Sequence, residues 1–371
     1  MNITFFKSFQ APKISLFDRR RSVLGIDIGS SSVKLVQLRL EKERAVLETY
    51  GELAAGPYGA KSVGQAVQLA EEKASEIVRD LIQETGASSR DAIISLPLHH
   101  SFVTSVDIPP LRNEDLDTVM QYEARRYIPI PLSEVVMDWW KVPDEEARSE
   151  ENSIATSPKQ QSKVLLVAVP KDIVEKYKKI LADVDIKVES FEVETFSIMR
   201  SVLGRERSTV LLVDFGAVGT KMTVVERGIV RLSHSFDKGF QGITLALSES
   251  LGIGFERAEQ LKRETGLSSH MENQGMMKVM IPLLDYLLIE IERFAVGYTK
   301  KYNGTISKIY ITGGGAGMAG FSDYIVKRFG VEVLVGNPFV RIEYPAFFQP
   351  VLKEISPSFA TAVGLALRGL G

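Results

Sequence analysis

The chain has 371 residues, 44 % of them hydrophobic and 25 % charged, enough apolar material for two to three domains and too much for a mini-protein or a disordered tail. Its 45 Lys+Arg against 47 Asp+Glu leave a net charge of -2, so no global field draws it to nucleic acid or anionic lipid, and no nucleic-acid partner is expected. The absence of cysteine excludes disulfides, thiolate nucleophiles, iron-sulfur clusters and sulfur-bound zinc.

The first 22 residues read as an arm. Phe5, Phe6, Phe9, Leu16 and Phe17 alternate with Lys7, Lys13 and Arg19 to Arg21, without the apolar run of a signal peptide. Val23 to Ile28, a Gly/Ser turn and Val33 to Leu40 predict a β-hairpin, followed by a helix over Val63 to Glu84 and a strand over Ala92 to Leu96. From about His99 to Pro170 the pattern predicts an inserted unit with its own small sheet. Its parts are strand Phe102 to Ile108, helix Glu114 to Tyr127, and strands Glu134 to Val142 and Lys163 to Val169, with a polar loop over Asp144 to Ser162. Helix Lys171 to Val184, strand Lys187 to Val193 and helix Thr195 to Leu203 follow. A second hairpin, Val210 to Phe215 and Thr220 to Glu226, leads to helices over Thr244 to Ser250, Glu256 to Glu264 and Ile281 to Tyr302. Strand Lys308 to Ile311 runs into the glycine-rich Gly313 to Gly320, and Ala360 to Leu367 closes as a helix. Strands and helices alternate throughout, so the class is α/β. Val279 to Ile289, the most apolar long stretch, is interrupted by Pro282 and Asp285 and falls short of the roughly 18 residues of a spanning helix. The expected location is the cytoplasm.

The two hairpins are copies. Asp27 and Asp214, Gly29 and Gly216, and Lys34 and Lys221 are each 187 positions apart, too far for a solenoid repeat and suited to a duplicated domain. The expected division is an arm over 1–22, a first domain over 23–98 and 171–207, an inserted unit over 99–170, and a second domain over 208–371 whose smaller subdomain is 241–304. A strand that delivers an Asp into a Gly/Ser turn sets a carboxylate beside free amides. There the amides and the hydroxyls of Ser30, Ser31 and Ser32 would receive phosphate oxygens while Asp27 holds Mg²⁺ through water, with Asp214 on the far side of the metal. Downstream, Gly313, Gly314, Gly315 and Gly317 would let a base or ribose lie against the backbone. This is neither a Walker loop nor a dinucleotide fingerprint. His99-His100 is not expected to bind metal, because neighbours on a strand face opposite ways. Trp139-Trp140 is expected to place one ring in the core and one at the surface.

In this order and spacing the three motifs resemble the actin-like ATPase superfamily, which includes actin, DnaK-type chaperones, sugar kinases and the division protein FtsA. The resemblance implies a two-domain actin-like (ribonuclease H-like) fold that binds ATP and Mg²⁺. Gly25 to Lys34, with Gly29, Ser30, Ser31, Ser32 and Lys34, resembles its first phosphate loop. Val213 to Met222, with Gly216, Gly219, Thr220 and Lys221, resembles the second, and Tyr310 to Gly320, with Gly313, Gly314, Gly315, Gly317 and Met318, the adenosine motif. Asp27, Glu194 and Asp214 are then the catalytic acids, Glu194 standing on the first connecting helix where relatives orient the attacking water. Ala360 to Leu367 resembles the second connecting helix, whose small residues allow a close crossing.

Within the superfamily the likeness narrows to the PilM family of type IV pilus assembly proteins. It rests on Ser95-Leu96-Pro97, the run Gln121 to Pro131 with its Tyr-Ile-Pro-Ile-Pro helix stop, Glu134-Val135 and Asn337-Pro338-Phe339. Asp237-Lys238-Gly239 followed by Ala258 to Lys262 adds Glu259 and Lys262 as ribose contacts. The inserted unit is similar to the strand-helix-strand-strand (SHS2) subdomain of PilM and FtsA. The resemblance implies an ATP-binding adaptor, peripheral to the inner membrane through its partners, that captures the cytoplasmic tail of PilN in a groove near Tyr122, Arg125, Arg126 and Ile128. It would act with other pilus assembly components, and self-association is a further mode it allows. Two alternatives are an FtsA-like filament protein, expected to end in an amphipathic membrane helix where this sequence has Leu367 to Gly371, and a small-molecule kinase, for which no substrate-facing base is evident. Whether ATP is hydrolysed stays open.

Overall fold

A computed structural model describes residues 21–108, 116–142, 162–267 and 274–371; residues 1–20 of the arm expected over 1–22, and 144–161 of the polar loop expected over 144–162, lie outside the described residues. The chain opens with strands β1 (Ser22–Ile28), β2 (Ser32–Glu41) and β3 (Arg44–Ala54), helix α1 (Glu71–Thr85) and strand β4 (Asp91–Leu96). The inserted segment contributes β5 (Phe102–Ile108), α2 (Leu116–Glu123), β6 (Val135–Lys141) and β7 (Ser162–Pro170). Next come α3 (Lys171–Ala182), β8 (Lys187–Val193) and α4 (Glu194–Ile198), which passes into a π-turn over Met199–Leu203. The second half comprises β9 (Val210–Phe215), β10 (Thr220–Glu226), β11 (Ile229–Phe236), α5 (Phe240–Leu251), α6 (Phe255–Thr265) and α7 (Gln274–Tyr302). It ends with β12 (Lys308–Thr312), α8 (Phe321–Phe329), β13 (Glu332–Val335), β14 (Ile342–Glu343), α9 (Gln349–Ile355) and α10 (Ala360–Leu370).

Among the described residues the strands form two sheets, one of six in the order β14-β3-β2-β1-β4-β8 and one of eight in the order β13-β12-β9-β10-β11-β5-β7-β6. The duplication holds in the register. Asp27 pairs with Lys34 and Ile28 with Val33 in the first half, and Asp214 with Lys221 and Phe215 with Thr220 in the second. Each hairpin continues into a third strand, β3 or β11, which the sequence pattern did not mark because both mix charges into the alternation. The insertion does not keep a sheet to itself. β5, β7 and β6 pair antiparallel, and β5 then joins β11 through Leu232 and Thr104, so the insertion extends the second-half sheet.

Helix α1 buries Ala74, Ile77, Val78 and Leu81 and stops at Gly86, whose φ of +61° suits a residue without Cβ. It begins at Glu71 and not at Val63, because the backbone of the expected first two turns is drawn elsewhere. Val67 N–H donates to Ser30 O at 2.9 Å, and Ala66 N–H donates to Gln241 of the second half. Helix α7 starts at Gln274 and continues through Pro282, the lost hydrogen bond being offset by a face of Met276, Met280, Leu284, Leu287, Leu288 and Ile291 buried in the second core. α2 is shorter than expected and winds into a 3-10 turn, Ala124–Arg126, ahead of Pro129 and Pro131.

α10 packs on the first sheet, across β1, β2 and β4, and crosses α4. A Cβ on Gly364 would lie 1.9 Å from Ser197 O on α4, and one on Gly25 would lie 2.1 Å from Ala362 O on α10, so only glycine permits these approaches. Beneath the crossing, the fully buried Glu192 accepts hydrogen bonds from Arg200 at 2.7 Å through each oxygen, from Ser197 at 2.7 Å and from Arg368 at 2.9 Å. Burial disfavours its ionisation, yet the two guanidinium groups outweigh that and hold the carboxyl below its ordinary range. None of the described helices is long and apolar enough to cross a membrane.

Candidate nucleotide cleft

The two equivalent turns follow β1 and β9, and the Asp27 and Asp214 carboxylates that precede them both act on the Lys221 charge. In each, the glycine amide closes the turn at 3.0 Å, Gly29 N–H onto Ser32 O and Gly216 N–H onto Gly219 O. That bond leaves the amides of Ser30, Ser31, Ala217 and Val218 without an acceptor among the described residues. Four outward amides in two loops are a suitable lining for phosphate oxygens.

Side chains around the turns fall into three groups. Asp27 Oδ1 accepts from Ser95 Oγ at 2.7 Å. Lys34 Nζ donates to Ser32 Oγ at 2.5 Å and pairs with Glu52 at 3.1 Å, so the first lysine lies along its own sheet. In the second half the equivalent Lys221 instead bridges Glu194 at 2.6 Å and Asp214 at 3.0 Å. Glu194, only 6 % exposed, uses its other oxygen to accept from Leu98 N–H at 2.6 Å, and Asp214 Oδ1 accepts from Thr312 Oγ1 at 3.3 Å. Burial pushes the Glu194 pKa up against the opposing charge of Lys221. Burial works against the Lys221 charge, but the Glu194 and Asp214 carboxylates outweigh it and raise its pKa. A cavity of about 10 Å³, room for about one water, lies under this cluster between Thr195, Ile198, Leu212 and Thr223.

The glycine-rich stretch is used in two ways. Gly314 and Gly317 have open space where a Cβ would stand, as a ligand contact requires. Gly313, at φ +83°, is pressed against Asp214 Oδ1 and Phe215 O, and Gly315 against the Phe240 ring, so these two serve packing, contrary to the expectation for all four. Met318 is buried in the second core. Thr220 is also turned inward, its hydroxyl donating to Lys238 O at 2.8 Å. Glu259 and Lys262 do stand together, 2.6 Å apart on α6, with Lys262 Nζ also donating to Thr244 Oγ1 at 2.8 Å. Burial opposes ionisation of Glu259, but Lys262, with hydrogen bonds from Thr244 and Arg263, holds its carboxyl down to about 2. The roof of the cleft is already bridged, since Val63 N–H donates to Glu256 Oε1 at 3.1 Å and Ala66 N–H to the Gln241 side chain.

These groups fit a nucleotide better than they fit direct metal ligation. Open amides and open glycines meet phosphate and base, whereas Asp214 and Glu194 are spent on Lys221, Thr312 and Leu98. Among the described residues no three His, Asp or Glu side chains group as a metal cage, and Asp27 Oδ2 is the oxygen left free for a water-mediated ion. The pairings of Ser95, Gln241 and Thr312 with Asp27, Ala66 and Asp214, 68, 175 and 98 positions away, leave no local signature in the sequence.

Of the groove residues, Tyr122 (69 % exposed), Arg125 and Arg126 stand on the outer face of the insertion. Ile128 does not line that face. It is 5 % exposed and packs with Val106, Ile108, Met120 and Ala124, because the chain turns inward where the 3-10 turn ends. Trp139 and Trp140 are both half-buried, one against the insertion core and the other against the first-half core, in place of one buried and one exposed ring. His99 and His100 sit on a 3-10 turn with ring centroids 4.0 Å apart, not on a strand with opposed side chains.

A family model described as type IV pilus assembly protein PilM matches residues 25–370. Among solved structures, the chain is similar to the PilM-PilN type IV pilus biogenesis complex, at 22 % identity over 94 % of this chain and 98 % of that one, with a TM-score of 0.77. It is similar to the ethanolamine utilization protein EutJ from Carboxydothermus hydrogenoformans at 18 % identity, covering 94 % of this chain and 89 % of that one, with a TM-score of 0.55. MreB5 of Spiroplasma citri bound to AMPPNP matches at 11 % identity over 93 % and 94 % of the two chains, with a TM-score of 0.51. What these structures share with the chain is the actin-like ATPase fold.

Proposed function

The chain belongs to the PilM family of type IV pilus assembly proteins, and on that premise we propose that it is an ATP-binding adaptor whose inserted unit takes the cytoplasmic tail of a PilN-type inner-membrane protein. The observation that carries the nucleotide part is the pair of equivalent turns whose loop amides have no acceptor among the described residues. Ser30, Ser31, Ala217 and Val218 would hold the phosphates through their amides, Gly314 and Gly317 would pass the base, and Glu259 and Lys262 would meet the ribose. Asp27 would hold Mg²⁺ through water, the ion supplying charge neutralisation for the phosphates. The similarity to the PilM-PilN complex supports the partner. On this chain the exposed Tyr122, Arg125 and Arg126 offer an aromatic surface and two cations to a peptide. Through that partner the protein would sit at the cytoplasmic face of the inner membrane.

Bound nucleotide would favour one arrangement of the two halves and so bias the tail-binding surface. The test is titration of a peptide of the PilN cytoplasmic tail into the purified protein, with and without Mg-ATP. Saturable binding that tightens or weakens with nucleotide supports the reading. Absence of binding removes the adaptor role, equal affinity in both conditions removes the coupling, and unchanged binding by Arg125→Ala/Arg126→Ala removes those two side chains from the groove.

A further inference from the structure

One charged group in the cleft has no part in the reading above. The Lys221 ammonium lies between Glu194, which opens α4 at the end of first-half strand β8, and Asp214, on second-half strand β9, and so ties the halves together across the cleft floor. The repeat does not force this placement. Lys34 holds the equivalent position, at the same cross-strand pairing with an aspartate, and turns to Ser32 and Glu52 instead. The bridge is therefore a property of this half alone.

Hydrolysis of a terminal phosphate by water forms one P–O bond, breaks the bond to the bridging oxygen, and releases a water proton that a base must take. Of the three cleft carboxylates, Glu194 is the one buried among fixed partners, and both of its oxygens already accept, one from an ammonium and one from an amide. The adjacent positive charge lowers its appetite for a proton, and the hydrogen bonds hold it away from a water. Asp214 is held by the same ammonium.

Resting on the nucleotide-binding reading, we propose that Lys221 is a positioning residue that restrains turnover: by engaging Glu194 and Asp214 it keeps the cleft a site that holds nucleotide instead of hydrolysing it. The test uses the full chain as Lys221→Met, Lys221→Arg and the double variant Lys221→Met/Glu194→Gln. ATP binding is measured by calorimetry, phosphate release at saturating ATP, and the thermal midpoint with MgCl2 alone. Lys221→Met is expected to release phosphate faster by about a hundredfold or more at saturating ATP, the order of one general base freed. Lys221→Arg stays slow, and the double variant loses the gain. MgCl2 alone raises the midpoint of Lys221→Met and not of the wild type, because the buried Glu194 and the half-buried Asp214, left without their cation, take up another. Phosphate release that is unchanged or slower at full ATP occupancy overturns the proposal, as does an equal response to MgCl2. A wild type that binds no ATP brings down the nucleotide reading first and this inference with it. Lys221→Ala, which admits water beside the carboxylates, repeats each measurement if the methionine variant does not fold.

Discussion

Asp27 and Glu259 show two ways in which a carboxylate is held ready. Asp27 has one oxygen fixed by Ser95 and one free, so its removal costs the ligand and little else. Asp27→Ala is expected to weaken Mg-ATP binding by about 2 kcal/mol, the order of one charge-assisted contact, measured by calorimetry. Glu259 is fixed on all sides, with its pKa down at about 2. Because its folded pKa is depressed, the stability it contributes is fully present above its ordinary carboxyl range and is lost as pH falls toward 2. The wild type is therefore expected to exceed Glu259→Gln in thermal midpoint at pH 7, and the gap should close between about pH 4.5 and 2. The aspartates and lysines of the two turns were legible in the sequence because the 187-residue offset repeats type and spacing together. The different directions taken by Lys34 and Lys221 were not, since each is decided by a neighbour from another strand, Glu52 in one case and Glu194 in the other.

Elements were legible where one period ran unbroken, as in β1, β4 and β9, whose interiors are apolar on both faces. They were misread where long-range partners overrode the local pattern. The expected first turns of α1 became an extended strap because Ser30 and Gln241 compete for its amides, and β3 and β11 were passed over because their charged positions break the alternation. The crossing of α4 and α10 is the element contact with least tolerance. Gly364→Ala puts a methyl group into the Ser197 carbonyl, and the helices must part to admit it. A loss of about 1–3 kcal/mol is expected from such overpacking, read as a lower urea midpoint with an unchanged slope. Gly314→Ala, whose Cβ meets open space, should leave the urea midpoint near wild type and act on nucleotide binding instead.

At the scale of the molecule the composition bounded the answer to two or three domains, and the repeat narrowed it to two related halves. The path of the insertion was beyond either argument, because the single Leu232–Thr104 pairing that docks it depends on the relative placement of both halves. That pairing predicts a readout. If nucleotide draws the halves together, backbone amides of β5 and β11 should exchange more slowly with Mg-ATP than without, even though neither strand lines the turns; peptide-level hydrogen exchange checks this, and protection confined to the turns would break the link.

The insertion leaves the chain after β4 and returns to it at α3, both in the first half, while its strands are continuous with the second-half sheet. It is anchored at its ends to one body and along its edge to the other. A rotation of one half against the other thus has two outcomes, a sheared β5–β11 seam or an insertion that swings with the sheet. In the second case the insertion is a lever arm with its fulcrum at the cleft, and a small angular step at the nucleotide becomes a larger sweep at Tyr122 on its far face.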